Sequence, residues 1–153
     1  MAEMVVPISD LGSHPLHLMG NAIVFDHYCH LRYDIGAAVD RAAELPQDAD
    51  ALRATVDWML AGIPQMCAAE LADAPQHAVN LVLEGPGGGS YVLAPGGEAW
   101  TVSEGSDADA PVVTTSAHDF VSWGTKRSDW RELTTGDTSN PDVAAVLDAI
   151  NVI

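Results

Sequence analysis

The chain is poor in positive charge: six Lys and Arg stand against 22 Asp and Glu, a formal net charge of −16 over 153 residues. Phosphate backbones and anionic lipid surfaces need a positive field, so this balance argues against nucleic-acid and membrane-surface binding. The acidic residues are spread along the sequence rather than gathered in a tail, as on a solubilising surface. Cysteine is scarce too. Cys29 and Cys67 lie inside apolar helical patterns without C-x-x-C spacing, which points to reduced thiols and a cytoplasmic protein. No apolar run approaches the roughly 20 residues of a membrane span, and "MVVPI" is too short, and its start not basic, for a secretory signal. What is present is 48% apolar residues, enough for the core of one compact domain.

Patterning divides the chain into a helical start and a strand-rich remainder. In "GSHPLHLMGNAIVFDHYCHLRYDIGAAVDRAAEL", Ser13 suits an N-cap and Pro15 a first turn, and the helix that follows should be the longest element. At about 100° per residue, Met19, Ile23, Asp26, His30 and Ala37 form one stripe, and Leu18, Phe25 and Cys29 cover another. After "LPQDAD", Asp50 is placed to cap a second helix, with Gly62 and Pro64 predicting a break before "PQMCAAELA". The period then changes. Val79, Leu81 and Leu83 alternate with Asn80 and Glu84, the glycine-rich "GPGGGS" and then "PGGE" turn the chain, and "YVLA", "AWTVSE" and "VVTTS" read as further strands. Ser116 with Asp119 predicts a cap for "AHDFVSWG", "WRELTT" is read as a return to the sheet, and Asn140 with Pro141 opens a last helix carrying Val143, Val146, Leu147 and Ile150. The expected class is α+β: a long N-terminal helix, then a mainly antiparallel sheet with packed helices.

Chemistry concentrates in "FDHYCHLRYDI", residues 25–35. Asp26 and His30, four apart, leave the same helix face close enough to share one ion, or to form a simple hydrogen-bonded couple. On an apolar stripe an unpaired carboxylate would cost several kcal/mol, and Asp34, four residues further, is placed to orient the imidazole. His14, His17 and His27 crowd the segment without matching that face. "GPGGGS" lacks the Lys and following helix of a phosphate loop and reads as a hairpin, and Cys29 reads as buried and inert, with nothing to lower its pKa. "GTKRSDWRE" holds Lys126, Arg127 and Arg131, half of the basic residues. Such a cluster can receive a carboxylate substrate, or form a salt-bridged helix terminus beside Asp129 and Glu132.

"FDHYCHLRYDI" resembles the signature on the last bundle helix of mycothiol-dependent maleylpyruvate isomerase-like proteins, and the likeness continues through "LVLEGPGGGSYVLAPGG", "WGTKR" and "GD…PDVAAVLDAINVI". That family couples a DinB-like metal-binding four-helix bundle to a C-terminal domain similar to sterol carrier proteins. The resemblance implies a division into a helical segment, residues 1–46, and an α+β domain, residues 47–153. It implies Asp26 and His30 as ligands of a divalent metal, zinc foremost, with Asp in place of the more usual Glu. Arg127, with Arg131 as second choice, matches the catalytic arginine. Mycothiol would be the thiol, adding as thiolate to the cis double bond of an unsaturated acid before rotation and elimination. A further histidine ligand comes from an early bundle helix in the family, and this sequence begins just before the last one. A helix apolar on several faces then needs a cover, from a homodimer or a separate helical bundle. A non-catalytic small-ligand-binding module and a helper subunit are the rival readings.

Overall fold

A computed structural model of the chain describes residues 4–8 and 11–153; residues 1–3 and 9–10 of the first segment lie outside the described residues. The chain opens with a two-stranded antiparallel ribbon, β1 (Val5–Pro7) against β2 (Ser13–Pro15), in which Val6 faces His14. Ser13 and Pro15 therefore do not start a helix. Proline lacks a ladder donor but is tolerated in short edge strands, and the turn that follows delays helix α1 to His17–Cys29, with Leu16 at its N-cap and no capping side chain. At His30 the winding loosens into a π-helix, His30–Gly36. A short 3₁₀ turn, Ala42–Glu44, precedes α2 (Ala49–Met66), which at 18 residues is longer than α1 alone, though α1 and the π turn run on without a break from His17 to Gly36.

The cap of α2 is Asp48, not Asp50: its carboxylate accepts from the Ala51 amide at 2.8 Å. Neither Gly62 nor Pro64 breaks this helix. Leu52, Val56, Met59 and Ile63 form a stripe with no exposure at all, and burial of side chains this size contributes about 1.5–3 kcal/mol each. The single hydrogen bond that Pro64 forfeits lies in the last turn. The break comes at Cys67, before α3 (Ala68–Asp73).

The meander forms as the alternation predicts. β3 (Val79–Glu84), β4 (Gly89–Pro95) and β5 (Trp100–Glu104) pair antiparallel, the first hairpin turning through Gly85 and Gly87 at φ 79° and 72°, a region that favours glycine. β6 (Val112–Ser116) lies parallel to β3, Leu81 beside Val113. Between β6 and the last strand come α4 (Ala117–Gly124) and α5 (Trp130–Leu133). Hence "WRELTT" forms a helical turn before β7 (Thr135–Gly136) pairs with β6. The sheet order is β5-β4-β3-β6-β7, and α6 (Pro141–Ala149) closes the chain. Asn80 is not on a solvated face. It is buried, its side chain accepting from the Asp107 amide and donating to the carbonyls of Asp107 and Ala110, so it ties the 105–111 loop to the sheet.

The fold is thus mixed α+β. α2 packs against α1, α4 and β5, and α4 packs against β3 and β6. Tyr28 and Cys29 join the same buried cluster as the sheet and α6. Among the described residues no helix is long and apolar enough to cross a membrane.

Candidate functional site

The change from α to π winding falls at His30, inside the segment singled out by sequence. π-helical turns occur mostly as short insertions, frequently at functional sites. Gly36 is what this backbone path demands: a Cβ there would collide with the Leu31 carbonyl oxygen. Along this helix Asp26 and His30 point outward, their side chains 64% and 55% exposed, with Asp26 Oδ1 3.3 Å from His30 Nε2. The stripe expected to be buried is exposed with them, Met19 and Ile23 included, because α1 turns Leu18, Tyr28 and Cys29 toward the core instead. Asp26 therefore stays solvated in this chain by itself, without the desolvation cost expected of a carboxylate on a buried stripe.

His30 is held from its other side. Its Nδ1 lies 2.6 Å from Asp34 Oδ2, and Asp34 accepts two parallel bonds from Arg127, Nε to Oδ1 and Nη2 to Oδ2, both 2.9 Å. Arg127 reaches it through a Schellman motif that ends α4. The Lys126 amide donates to the Trp123 carbonyl and the Arg127 amide to that of Ser122, with Lys126 at φ 56°. Those bonds from Arg127, joined by the one from His30, hold the Asp34 carboxyl well below the usual carboxylate range, at about 2. An ionised Asp34 accepts from the imidazole Nδ1–H, which leaves Nε2 facing Asp26, as an N–H donor in the imidazolium and as a lone pair in the neutral ring. At 3.3 Å the two groups can share a proton, and in the neutral ring they present two lone-pair donors to one metal ion. A carboxylate behind the imidazole is also the usual backing of a metal-bound histidine.

The pair thus fits a metal in donor type and direction and is short in number, since zinc in a catalytic site takes three protein ligands. Among the described residues no group of three metal-ligating side chains converges. Arg131 is engaged elsewhere: it forks onto Asp148 at 2.8 and 3.0 Å, contacts Asp129, and stacks over Trp130, which makes the salt-bridged helix terminus that was the alternative for this cluster. Cys29 is buried and its thiol is pushed up to about 11 by that burial, which disfavours the thiolate. His14 bonds the Leu11 carbonyl and His27 that of Ile23.

One cluster escaped the sequence reading. Tyr28 Oη lies 2.9 Å from His118 Nδ1, Tyr33 Oη donates to the His118 carbonyl at 3.0 Å, and burial lowers the His118 pKa. Beside them Arg32 is buried, its guanidinium 4.3 Å from the Tyr28 ring and donating to the carbonyls of Leu45 and Pro46. The available signal was Arg32 itself, the first basic residue in the sequence, four residues after Tyr28. Compared with family models and with curated proteins, the chain matches none.

Proposed function

We propose that this chain supplies part of the active site of a metal- and thiol-dependent isomerase similar to the mycothiol-dependent maleylpyruvate isomerases. The observation that carries the reading is the Asp26–His30–Asp34–Arg127 chain. The two residues read as ligands and the arginine read as catalytic meet through one carboxylate, although Asp34 and Arg127 are 93 positions apart in sequence. Asp26 and His30 would hold the divalent metal, zinc, and the remaining donor comes from a second polypeptide, either another copy or a separate helical bundle. A bound metal of this kind stabilises a low-molecular-weight thiol, here mycothiol, as its thiolate.

The residues of this chain have distinct tasks in that scheme. Asp34 fixes the tautomer and direction of His30. Arg127 commits Nε and one Nη2 hydrogen to Asp34 and keeps Nη1 for a carboxylate of the unsaturated acid or for the charge that develops beside it. Its main contact being Asp34, Arg127 is first a positioning residue. A helper role, in which the chain completes another protein's bundle without turning over substrate alone, is favoured by the exposed apolar face of α1.

Zinc titration with metal analysis tests the proposal. One zinc per chain or per dimer is expected, lost in Asp26→Ala and in His30→Ala, and weakened about 10- to 100-fold in Asp34→Ala, the usual cost of losing an outer partner. Zinc that binds equally well to all three variants, or not at all, overturns it. Ultraviolet absorbance of a cis-unsaturated diacid with mycothiol then separates an enzyme from a helper.

A further inference from the structure

A second site lies on the flank of α1 next to the metal-binding face. A cleft of about 420 Å³ opens between the helix and the 45–51 segment. Ile23, Val24 and Leu31 form one wall, Leu45 and Pro46 the other, and the lining is overwhelmingly apolar. His27 stands on the helix wall with its Nδ1 already bonded to the Ile23 carbonyl. Tyr28, its hydroxyl engaged with His118, and Arg32 complete the polar lining, and Arg32 is over nine-tenths buried.

Among the described residues the charge of Arg32 is not matched. A guanidinium has five N–H donors, and here one Nη1 and one Nη2 hydrogen go to the carbonyls of Leu45 and Pro46, with the Tyr28 ring against its face. No carboxylate pairs with it among the described residues, although the chain carries 22 acidic groups and the more exposed Arg41 pairs with Glu44 and Arg53 with both Asp57 and Glu104. Buried charges are ordinarily paired, and arginine is the side chain best suited to grip a carboxylate with parallel bonds. Apolar walls around one oriented cation are the usual make-up of a small-molecule pocket.

We propose that this cleft binds a small monocarboxylate with an apolar body, its carboxylate on Arg32 and its hydrocarbon part between the helix and Leu45 and Pro46. The site is distinct from Asp26 and His30 and does not rest on the metal reading. It has no role in the isomerase scheme, so a ligand here would be a regulator or cargo rather than the reacting acid.

Calorimetric titration with octanoate, 1-octanol and acetate tests it. Octanoate should bind saturably at one per chain, 1-octanol at least about tenfold more weakly for want of the charge, and acetate without saturation for want of the chain. Arg32→Gln should erase the preference for octanoate over 1-octanol. Because Arg32 also anchors the 45–46 carbonyls, Ile23→Glu provides a second variant. Ile23 is exposed, so the fold should be kept, checked by circular dichroism, while a carboxylate on the cleft wall should weaken octanoate about tenfold or more. Equal binding of octanoate and 1-octanol, no saturable octanoate binding at millimolar concentration, or an Ile23→Glu variant that binds like the parent would each overturn the proposal. Because Ile23 and Leu31 also belong to the exposed apolar patch of this helix, the titration is made without zinc and at a concentration where the chain is monomeric, and octanoate should bind there all the same, which keeps this result separate from the metal test.

Discussion

Asp34 joins two parts of the chain through one carboxylate, and its protonation state decides whether they stay joined. Its folded pKa, about 2, lies below the ordinary 3.8 because the Arg127 and His30 hydrogen bonds favour the anion. A group whose pKa falls on folding adds stability that is complete above its unfolded value and is lost as pH drops through the folded one. The window for Asp34 therefore runs from about pH 4 down to about pH 2. Urea midpoints measured across that range should fall with acid in the parent chain, and the Asp34→Asn variant should show a shallower fall. At pH 7 the variant should be the less stable of the two, since Arg127, partly buried, keeps the amide oxygen as one acceptor but loses the other together with the negative charge. A variant whose acid profile overlays that of the parent would remove Arg127 as the partner that matters. Lys126 adds a second residue-scale point. The left-handed position that ends α4 is taken by a lysine at φ 56° rather than by the usual glycine, so the motif that delivers Arg127 carried no glycine signal.

Two glycines in one helical stretch show how an element sets what a residue may be. Gly20 sits in α1 with nothing within 4 Å of the place a methyl group would take, whereas a Cβ at Gly36 would strike the Leu31 carbonyl in the π turn. Gly20→Ala should stabilise the protein by about 0.4–1 kcal/mol through the unfolded chain. Gly36→Ala should destabilise it by about 1–3 kcal/mol, the range for forcing an atom into filled space. Thermal unfolding of the pair checks this, and two shifts of the same sign would refute the π geometry. The same contrast of local and non-local causes explains what the sequence made legible. The caps at Ser116 and Asn140 and the hairpin at Gly85 were readable because each is closed by bonds to residues within a few positions. The run of α2 through Pro64 was not, because its stripe is held by packing partners far along the chain. Asp26, His30 and Asp34 were legible as spacing on one helix. The fork from Arg127 to Asp34 was not, since no local pattern announces a contact across 93 residues. Arg32 and His118 were missed for the same reason, being 86 positions apart and joined only through Tyr28 and Tyr33.

For the whole molecule the question is what covers α1. Met19, Ile23, Leu31, Ile35 and Val39 recur at steps of four or eight residues and are each 49–63% exposed. Steps of four form the ridge that interdigitates when α-helices cross; Met19 and Ile23 lie on such a ridge in α1, and from His30 the π winding carries Leu31 and Ile35 along a different line, so the exposed residues make a patch rather than one straight ridge. An isologous contact sets one patch against the same patch of a second copy, and an exposed apolar patch of this kind can be covered in that way. Side chains of this size, half exposed, sum to on the order of 500 Å² per chain, so a pair would bury about the 1,000 Å² that marks a specific interface. Opposing this, each copy carries a net charge of −16, and two such surfaces repel until salt shortens the screening length from about 10 Å at 0.1 M to about 3 Å at 1 M. Self-association should therefore be salt-promoted. In analytical ultracentrifugation at micromolar concentration the parent chain should shift from monomer toward dimer as salt rises, and the Met19→Glu, Ile35→Glu double variant should stay monomeric with unchanged circular dichroism. Those two positions line no part of the Arg32 cleft, so the variant separates helix pairing from ligand binding. A parent chain that remains monomeric at every salt concentration would exclude the homodimer, and of the two partners in the proposed reading only the separate helical bundle would be left.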